Sequence, residues 1–250
     1  VGSEMCIRDR SIAYDGTKYL GWQIQSNQPL KTIQGKLQHI LSILFNEDIQ
    51  VIASGRTDAG VHAKKQVANF HTTSYKSCDE ILSYLRQYLP CDIAVTEIKE
   101  ASERFHARYN CLTKRYGYYI DTQFMPDPFK VRYAYHVADP LNMDKMKEAS
   151  TYLIGTHDFK SFTSMKNKKK STIKCIHSIE FEPTSSGFVI YYHGNGFLQH
   201  MVRILTGTLL EVGLGHLEPN AIPKILEART RAIAGPTAPS HALFLEEAIY

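Results

Sequence analysis

The order of strand-like and helix-like segments constrains the fold of this chain more than any other feature. From residue 11 to residue 99 the hydrophobic periodicity runs strand, helix, strand, strand, helix, strand. Thr32 and Asp79 are the predicted N-caps of the two helices, and Pro90 ends the second helix. The predicted strands are SIAY (11–14), IQVIAS (49–54), QVANFHTT (66–73) and IAVTEIK (93–99), and the predicted helices cover 32–46 and 79–89.

The second half of the chain repeats this order. Its segments are KRYGYYID (114–121), a helix over 141–154, IHSIEFE (176–182), GFVIYYHG (187–194), a long buried helix over 197–212 and ALFLEEAIY (242–250). The strands at 176–182 and 187–194 flank PTSS, which predicts a hairpin. Two β-α-β-β-α-β halves predict an α+β fold, with two ferredoxin-like units that form a mostly antiparallel sheet over a central cleft.

These patterns divide the chain into two predicted domains, residues 11–105 and 106–250, with the boundary near residues 102 to 109. A length of 250 residues is enough for two modest domains, each with its own core. Residues 1–10, VGSEMCIRDR, show neither strand alternation nor a helical stripe. We interpret them as a non-native N-terminal scar and leave them out of the fold prediction.

Composition argues against several classes of protein. Apolar residues make up 43% of the chain and charged residues 22%, as in an ordinary globular protein. No apolar run approaches the roughly 20 residues of a membrane helix, and the N-terminus lacks the pattern of a secretory signal, so we expect a cytoplasmic protein. The five cysteines lie far apart and form no C-x-x-C pair, which argues against a disulfide framework and against structural zinc.

The basic excess lies in the second half of the chain. The formal net charge is +4, and residues 106–250 carry 17 basic and 13 acidic side chains. Six lysines fall between Lys160 and Lys174, with no acidic residue among them. Such a segment is typical of a solvated loop, and equally of a surface that binds a polyanion such as nucleic acid.

The loop SGRTDAGVHA (54–63) combines one carboxylate, Asp58, with the cation of Arg56 and several small residues. One interpretation is an Asx-turn, in which Asp58 hydrogen-bonds to its own backbone and Arg56 is a surface partner. The other is a reactive carboxylate that attacks carbon or moves a proton, with Arg56 favouring its charged form. In that case the small neighbours would let a planar substrate approach closely.

Several motifs together resemble those of the tRNA pseudouridine synthase A family. The loop SGRTDAGVHA is similar to the catalytic signature of that family, which centres on an aspartate. The other matching stretches are YDGTKYLGWQ (14–23), TIQGKL (32–37), ARYNCLTKRYGYYI (107–120), GTHDFKSF (155–162), NGFLQHMVRILTGTLLEVG (195–213) and AGPTAPSHALFLEEA (234–248). They occur in the order of the family pattern and cover the chain from about residue 11 to residue 250.

The resemblance implies an enzyme that isomerises uridine to pseudouridine at positions 38, 39 and 40 of the tRNA anticodon arm. Members of the family break the N1–C1′ glycosidic bond, turn the uracil and rejoin it through C5, without a cofactor or a metal. By motif position, Asp58 is the catalytic nucleophile or proton-handling carboxylate. Arg56 then pairs with the aspartate and helps to hold the flipped nucleotide, and Tyr116 stacks on the target base.

The resemblance also implies roles for residues in the second half. Leu243 matches an apolar residue that packs in the active site, although the chain has Ala242 where the family pattern usually has Gly. Arg203 supports the aspartate loop or reaches phosphate, and an ion pair on the helix surface is the alternative. His62 shapes the loop rather than transferring protons.

The implied partners are tRNA and a second copy of the chain. In the family one tRNA contacts both subunits of a homodimer, and the central cleft is therefore predicted to bind RNA. The lysine-rich segment 160–174, extended by Arg108, Lys114 and Arg115, would contact the phosphate backbone rather than read sequence.

Two other functions remain as alternatives. A non-catalytic RNA-binding module could present a sheet to unpaired bases, but it predicts exposed aromatic residues in an order that the sequence lacks, and it leaves Asp58 unexplained. A hydrolase that uses Asp58 and His62 as an acid–base pair would need a second carboxylate or a metal set, and the loop supplies neither.

Overall fold

The predicted helices and strands occur in the predicted order, and the structure adds two short strands, Tyr135–His136 and Gly155–Asp158, and the helix Ala221–Ala228. The computed structural model describes the backbone of residues 5–165 and 170–250, and the side chains of these ranges from Ser11 onward. The strands are β1 (Met5–Tyr14), β2 (Ile52–Ala53), β3 (His62–Thr72), β4 (Ile93–Ala101), β5 (Thr113–Asp121), β6 (Tyr135–His136), β7 (Gly155–Asp158), β8 (Ile173–Thr184), β9 (Gly187–Gly194) and β10 (Leu243–Ile249). The α-helices are α1 (Ile33–Phe45), α2 (Cys78–Tyr88), α3 (Met143–Thr151), α4 (Met201–Gly213) and α5 (Ala221–Ala228).

The first compact unit holds the residues up to Leu112 together with Phe244–Tyr250. Within it β1 pairs antiparallel with both β3 and β4, and β2 pairs antiparallel with β3. The resulting order β4-β1-β3-β2 is that of a ferredoxin-like unit. β10 adds to β3 as a parallel strand, with Phe244 opposite His62.

Helix α1 shows why the sequence folds in this way locally. The hydroxyl oxygen of Thr32 accepts a hydrogen bond from the backbone N–H of Gly35 at 3.1 Å, which confirms the predicted N-cap. Leu37 and Leu41, one turn apart, are completely buried, as the helical stripe predicts. The helix ends at Asn46, which takes the left-handed conformation.

The second unit, Thr113–Leu243, contains the strands β5 to β9. Its strands pair antiparallel in the order β5-β9-β8-β7, and the short β6 pairs in parallel with β5. The hairpin between β8 and β9 confirms the prediction made from PTSS. Helix α4 is buried at nearly every position, also as predicted. None of the described helices is long and apolar enough to cross a membrane.

The predicted α+β class with a mostly antiparallel sheet is confirmed, whereas some element boundaries differ. The strand predicted over 49–54 is reduced to β2, because Val51 bonds to helix α1 instead. Its N–H donates to Gln38 Oε1 at 3.1 Å, and its carbonyl accepts from Gln34 Nε2 at 3.0 Å. Helix α4 begins at Met201 rather than at residue 197, because His200 has a positive φ of 60°.

The N-cap of α2 is Ser77, and the prediction of Asp79 is wrong by two residues. The Ser77 hydroxyl accepts a hydrogen bond from the N–H of Glu80 at 3.3 Å, and the Glu80 carboxylate accepts one from the N–H of Ser77 at 2.7 Å. This reciprocal pair is a capping box. Asp79 lies in the first turn, where its negative charge faces the positive end of the helix dipole.

Replacing Ser77 with Ala should lower the free energy of unfolding by about 1 kcal/mol, because the backbone N–H of Glu80 loses its side-chain acceptor. Equilibrium unfolding in urea measures this change. Ser83→Ala, at an exposed position within the same helix, is the matched control and should leave stability within about 0.5 kcal/mol. Equal stabilities of the two variants would contradict the capping assignment.

The two compact units differ in extent from the predicted domains. Residues 106–112 and Phe244–Tyr250 lie with the first unit. The predicted domains, 11–105 and 106–250, are segments expected to fold independently, and that division stays a prediction. β1 begins at Met5, so part of the N-terminal segment pairs with β3 and β4. Its interpretation as a non-native scar also stays a prediction.

Candidate active site

Asp58 lies in a tight turn between β2 and β3 of the first unit. The N–H of Val61 donates to the backbone oxygen of Asp58 at 3.1 Å, and Gly60 has a φ of +78°. A positive φ at the third turn residue suits a type II turn and favours glycine. The turn is therefore closed by backbone groups, and the partly exposed carboxylate of Asp58 is not required to close it.

The start of this loop is fixed by a buried glutamine. Ser54 Oγ donates to Gln66 Oε1 at 2.5 Å, and Gln66 Nε2 donates to the carbonyl oxygen of Gly55 at 2.9 Å. The Ser54 and Gln66 side chains are fully buried. Arg56, the next residue, is exposed, and the described contacts include no ion pair between its guanidinium and Asp58. The pairing of these two residues stays a prediction.

The segment YDGTKYLGWQ braces the other side of the loop. The hydroxyls of Tyr14 and Thr57 are 2.8 Å apart, and the N–H of Trp22 donates to the carbonyl of Thr57 at 3.0 Å. Gly21 packs directly against the backbone of the loop, because a Cβ at Gly21 would be 2.6 Å from the Thr57 carbonyl oxygen. The family resemblance was the only feature of the sequence that pointed to this segment. It did not indicate which residues of the segment support the loop that carries Asp58.

Replacing Tyr14 with Phe should lower the free energy of unfolding by about 1–2 kcal/mol, because the buried Thr57 hydroxyl loses its partner. Burial raises the pKa of Tyr14 to about 12. Since a raised pKa favours the protonated folded state, this stabilisation is complete below about pH 10 and is lost as the pH rises to about 12. Urea unfolding at about pH 8 and about pH 11 measures both effects. Tyr75→Phe, at an exposed position, is the control and should leave the free energy of unfolding nearly unchanged. An equal loss of stability in the two variants would contradict the prediction.

The side chain of His62 is 1% exposed, and it helps to fix the loop through a hydrogen bond. Its Nδ1 lies 2.9 Å from the backbone nitrogen of Gly16 and 3.1 Å from Asp15 Oδ1. One ring nitrogen cannot accept from an N–H and donate to a carboxylate at once. We assign the bond from Gly16, whose N–H points at the ring, so Nδ1 is unprotonated. The ring also stacks on Phe244 at 4.5 Å. These contacts favour the predicted role in shaping the loop.

Tyr116 is held on β5 of the second unit. It is 7% exposed, lies opposite Tyr192 of β9, and meets the ring of Phe197 edge-on at 5.2 Å. The adjacent Arg115 lies over the ring of Tyr191 at 4.0 Å and pairs with two glutamates of β8. Part of the positive charge expected on this strand is therefore neutralised by acidic residues within the same sheet.

Arg203 fixes the segment that leads into β10. Its Nε donates to the carbonyl oxygen of Ala238 at 2.7 Å, and the N–H of Ala238 donates back to the Arg203 carbonyl at 3.1 Å. Tyr118 contributes a further bond from its hydroxyl to the carbonyl of Pro239 at 2.8 Å. A Cβ at Gly207 would be 1.8 Å from the carbonyl oxygen of Pro236, so helix α4 and this segment touch backbone to backbone.

Leu243 is the first residue of β10 and is 5% exposed, which is consistent with an apolar packing role. Ala242, in place of the glycine of the family pattern, is completely buried. Its methyl group is therefore accommodated within the packed structure. The roles predicted for Leu243 and Arg203 in substrate binding stay predictions.

The lysine-rich segment is described only in part. Lys160 and Lys170 are exposed and Lys174 is partly exposed, whereas residues 166–169 lie outside the described residues. Nearby, His200 Nδ1 lies 2.9 Å from the hydroxyl of Ser164. Within the described ranges, no group of three or more His, Cys, Asp or Glu side chains is arranged to hold a metal ion.

Comparison with known proteins finds relatives along nearly the whole chain. A family model described as tRNA pseudouridine synthase matches residues 11–110 and 149–250. A tRNA pseudouridine synthase A 2 from Bacillus cereus is 44% identical over 236 residues, which cover 94% of this chain and 96% of the relative. A tRNA pseudouridine synthase A 1 from Clostridium tetani is 48% identical over 239 residues, covering 96% and 97%.

A solved Cbf5-Nop10-Gar1 complex is also similar, with a TM-score of 0.33 and 10% identity, over 82% of this chain and 46% of that one. That likeness is too weak to support an argument. The family match, by contrast, includes the Asp58 loop, its bracing segment, helix α4 and strand β10, and Tyr116 falls between its two ranges. With that match, and with relatives 44% and 48% identical over almost their full length, this chain belongs to the tRNA pseudouridine synthase family.

Proposed function

We propose that this protein isomerises uridine to pseudouridine in tRNA, at positions 38, 39 and 40 of the anticodon arm. The observation that carries the proposal is the Asp58 turn, in which a partly exposed carboxylate stands on a backbone fixed by buried groups. A reactive group held in one position needs no costly ordering when the substrate binds. Membership of the family supports tRNA as the class of substrate.

The proposed reaction balances without any further reactant. The N1–C1′ bond breaks, a C5–C1′ bond forms, C5 loses its proton and N1 gains one. Asp58 acts as the nucleophile toward the nucleotide or as the base that removes a proton from it. To reach these atoms the nucleotide must leave its stack, at a cost of a few kcal/mol. We therefore propose no cofactor and no metal.

Four other residues complete the proposed site. Arg56, exposed beside Asp58, is free of described ion pairs and is available to hold the phosphate or the flipped nucleotide. Tyr116 stacks on the target base. Leu243 packs against the nucleotide, and Arg203 holds the segment that carries Leu243 in place. The bonds of Arg203 to Ala238 support a positioning role for this residue over a simple ion pair on the helix surface.

We propose a homodimer in the cytoplasm as the working form, with tRNA bound by the predicted central cleft. These proposals rest on the resemblance of the motifs. Sedimentation of the purified protein tests the dimer directly, because a mass near 28.4 kDa would contradict it and twice that mass would support it.

Replacing Tyr116 with Ala should reduce the rate of pseudouridine formation by roughly 5- to 150-fold, because a stacking contact of about 1–3 kcal/mol is lost. Tyr116→Phe keeps the ring and should retain most of the rate. Single-turnover kinetics on a tRNA transcript measures both variants. A rate in Tyr116→Ala equal to that of the wild type would contradict the stacking role, and urea unfolding checks that both variants are folded.

The experiment that tests the proposed function is to map pseudouridine in an unmodified tRNA transcript after incubation with the protein. Carbodiimide treatment followed by primer extension reports each modified position. The proposal predicts stops that correspond to uridines at positions 38, 39 and 40. A protein that binds the transcript but leaves every uridine unmodified would instead be an RNA-binding module, and cleavage of the transcript would indicate a hydrolase.

A further inference from the structure

The segment 104–110, which we call the Tyr109 turn, displays an aromatic ring to solvent in the first unit. Tyr109 is 80% exposed, among the most exposed aromatic side chains of the described residues. One face of its ring stacks on His106, with the ring centres 4.1 Å apart and the planes 29° from parallel. No other ring contact of Tyr109 exists within the described residues, so the opposite face is open.

Hydrogen bonds hold the Tyr109 turn in one conformation. His106 Nδ1 accepts from the backbone N–H groups of Arg108 and Tyr109, both at 3.2 Å. The side-chain oxygen of Asn110 accepts from the N–H of His106 at 2.7 Å, and the N–H of Asn110 donates to the His106 carbonyl at 3.0 Å. The imidazole is therefore fixed by the turn and supports the tyrosine ring from one side.

The turn is also anchored to the rest of its unit. Ala107 is completely buried. Its N–H donates to the side-chain oxygen of Asn69 at 2.8 Å, and its carbonyl accepts from the hydroxyl of Tyr250 at 2.5 Å. Phe105 packs against the ring of Tyr250 at 5.4 Å. An exposed ring on an anchored turn loses little conformational freedom when a ligand stacks on it.

Two exposed arginines, Arg104 and Arg108, flank the ring in the sequence. Neither guanidinium forms an ion pair or hydrogen bond within the part of the chain that the structure describes. The acidic neighbour Glu103 is exposed and likewise has no described partner. Unpaired guanidinium groups bind phosphate, and an open aromatic face stacks on a nucleobase.

From this arrangement we infer that the Tyr109 turn is a second RNA contact, in which Tyr109 stacks on an unpaired base of the tRNA while Arg104 and Arg108 bind its phosphates. The inference rests on the proposed function for its choice of RNA, and it is separate from the target uridine, whose chemistry belongs to Asp58. An unpaired nucleotide is the ligand because only an unstacked base offers its face to an aromatic side chain.

The test is the affinity of the full chain for a tRNA transcript, measured by fluorescence anisotropy. Tyr109→Ala should weaken binding by roughly 5- to 150-fold, whereas Tyr109→Phe, which keeps the ring, should bind within about 2-fold of the wild type. Tyr75→Ala is the matched control, since Tyr75 is 85% exposed in the same unit and has no described partner. It should bind like the wild type.

Two further measurements separate stacking from charge. Each of Arg104→Gln and Arg108→Gln should reduce the slope of log affinity against log salt by about 0.7 to 0.9. A single-stranded oligonucleotide should show the Tyr109→Ala effect, and a duplex of the same length should not. At tRNA concentrations below saturation, Tyr109→Ala should form pseudouridine more slowly than the wild type, in proportion to its loss of affinity.

Wild-type affinity in Tyr109→Ala for both tRNA and the single strand would overturn the inference. So would a loss of self-association in that variant with unchanged RNA affinity, which would assign the turn to a protein contact. If the wild type binds tRNA through Tyr109 but forms no pseudouridine, the proposed function fails and this inference stands. If it forms pseudouridine but its affinity for tRNA does not depend on Tyr109, this inference fails and the proposed function stands.

Discussion

Asp58→Asn should reduce pseudouridine formation by roughly 10⁴-fold or more, because the amide can neither act as the nucleophile nor accept a proton. The substitution keeps the size of the side chain. The turn should persist, since its closing hydrogen bond runs from the N–H of Val61 to the backbone oxygen of Asp58. Asparagine also forms Asx-turns as readily as aspartate, so a purely structural role predicts nearly full activity.

The measurement is the yield of pseudouridine nucleoside after digestion of the tRNA, followed over time under single-turnover conditions. The unfolding midpoint in urea and the affinity for tRNA should remain close to those of the wild type. Asp48→Asn is the control, because Asp48 is exposed and bonds only to the amide of Gln50 in the described contacts. Substantial activity in Asp58→Asn would overturn the catalytic assignment, and equal losses in both variants would show a general effect of lost charge.

Gly21→Ala should have the second largest effect, on both stability and activity. A Cβ at Gly21 would meet three backbone atoms of the catalytic loop, the Thr57 oxygen at 2.6 Å, the Asp58 carbon at 3.0 Å and the Ala59 nitrogen at 3.1 Å. Gly21 also has a φ of +95°, which costs an L-residue about 1–2 kcal/mol. Strain and overlap together should lower the free energy of unfolding by about 2–5 kcal/mol.

The overlap should also displace the loop that carries Asp58. A shift of about 1 Å in a reacting group can reduce a rate by about 100-fold, and we expect a loss of that order in the folded fraction of Gly21→Ala. Gly215→Ala separates backbone strain from overlap with the loop. Gly215 has a φ of +80°, but apart from its chain neighbours no described residue has an atom within 4 Å of the position that the new methyl group would take. The free energy of unfolding of Gly215→Ala should fall by about 1–2 kcal/mol, and its activity should remain that of the wild type. Equal effects of the two variants would show that close packing against the loop is unimportant.

Local features of the fold could be predicted from the sequence because they depend on neighbouring residues. The cap of α1 by Thr32, its buried stripe and the β8–β9 hairpin all arise within a few residues of one another. Helix α5 was not predicted, because Pro223 interrupts its pattern, although proline is tolerated in the first turn of a helix. The four-residue strand β7 is too short to show a clear alternation.

Contacts between distant segments could not be predicted in this way. The parallel pairing of β10 with β3 joins Phe244 to His62, and periodicity gives only the type of an element, not its partner. The long-range contacts that support the candidate site could not be predicted either. Asp58 was singled out by its motif, whereas the Tyr14–Thr57 bond spans 43 residues and the contact of Gly21 with the loop depends on a backbone approach that no local pattern encodes.

The most direct measurement is the release of tritium from tRNA whose uracil rings carry tritium at C5. Joining C5 to C1′ removes the hydrogen from C5, so each isomerised uridine should release one tritium into water. Wild-type protein should release tritium in proportion to the pseudouridine formed, and Asp58→Asn should bind the same tRNA without release. Pseudouridine formed at an undiminished rate by Asp58→Asn, or no release by the wild type on a tRNA that it binds, would contradict the account.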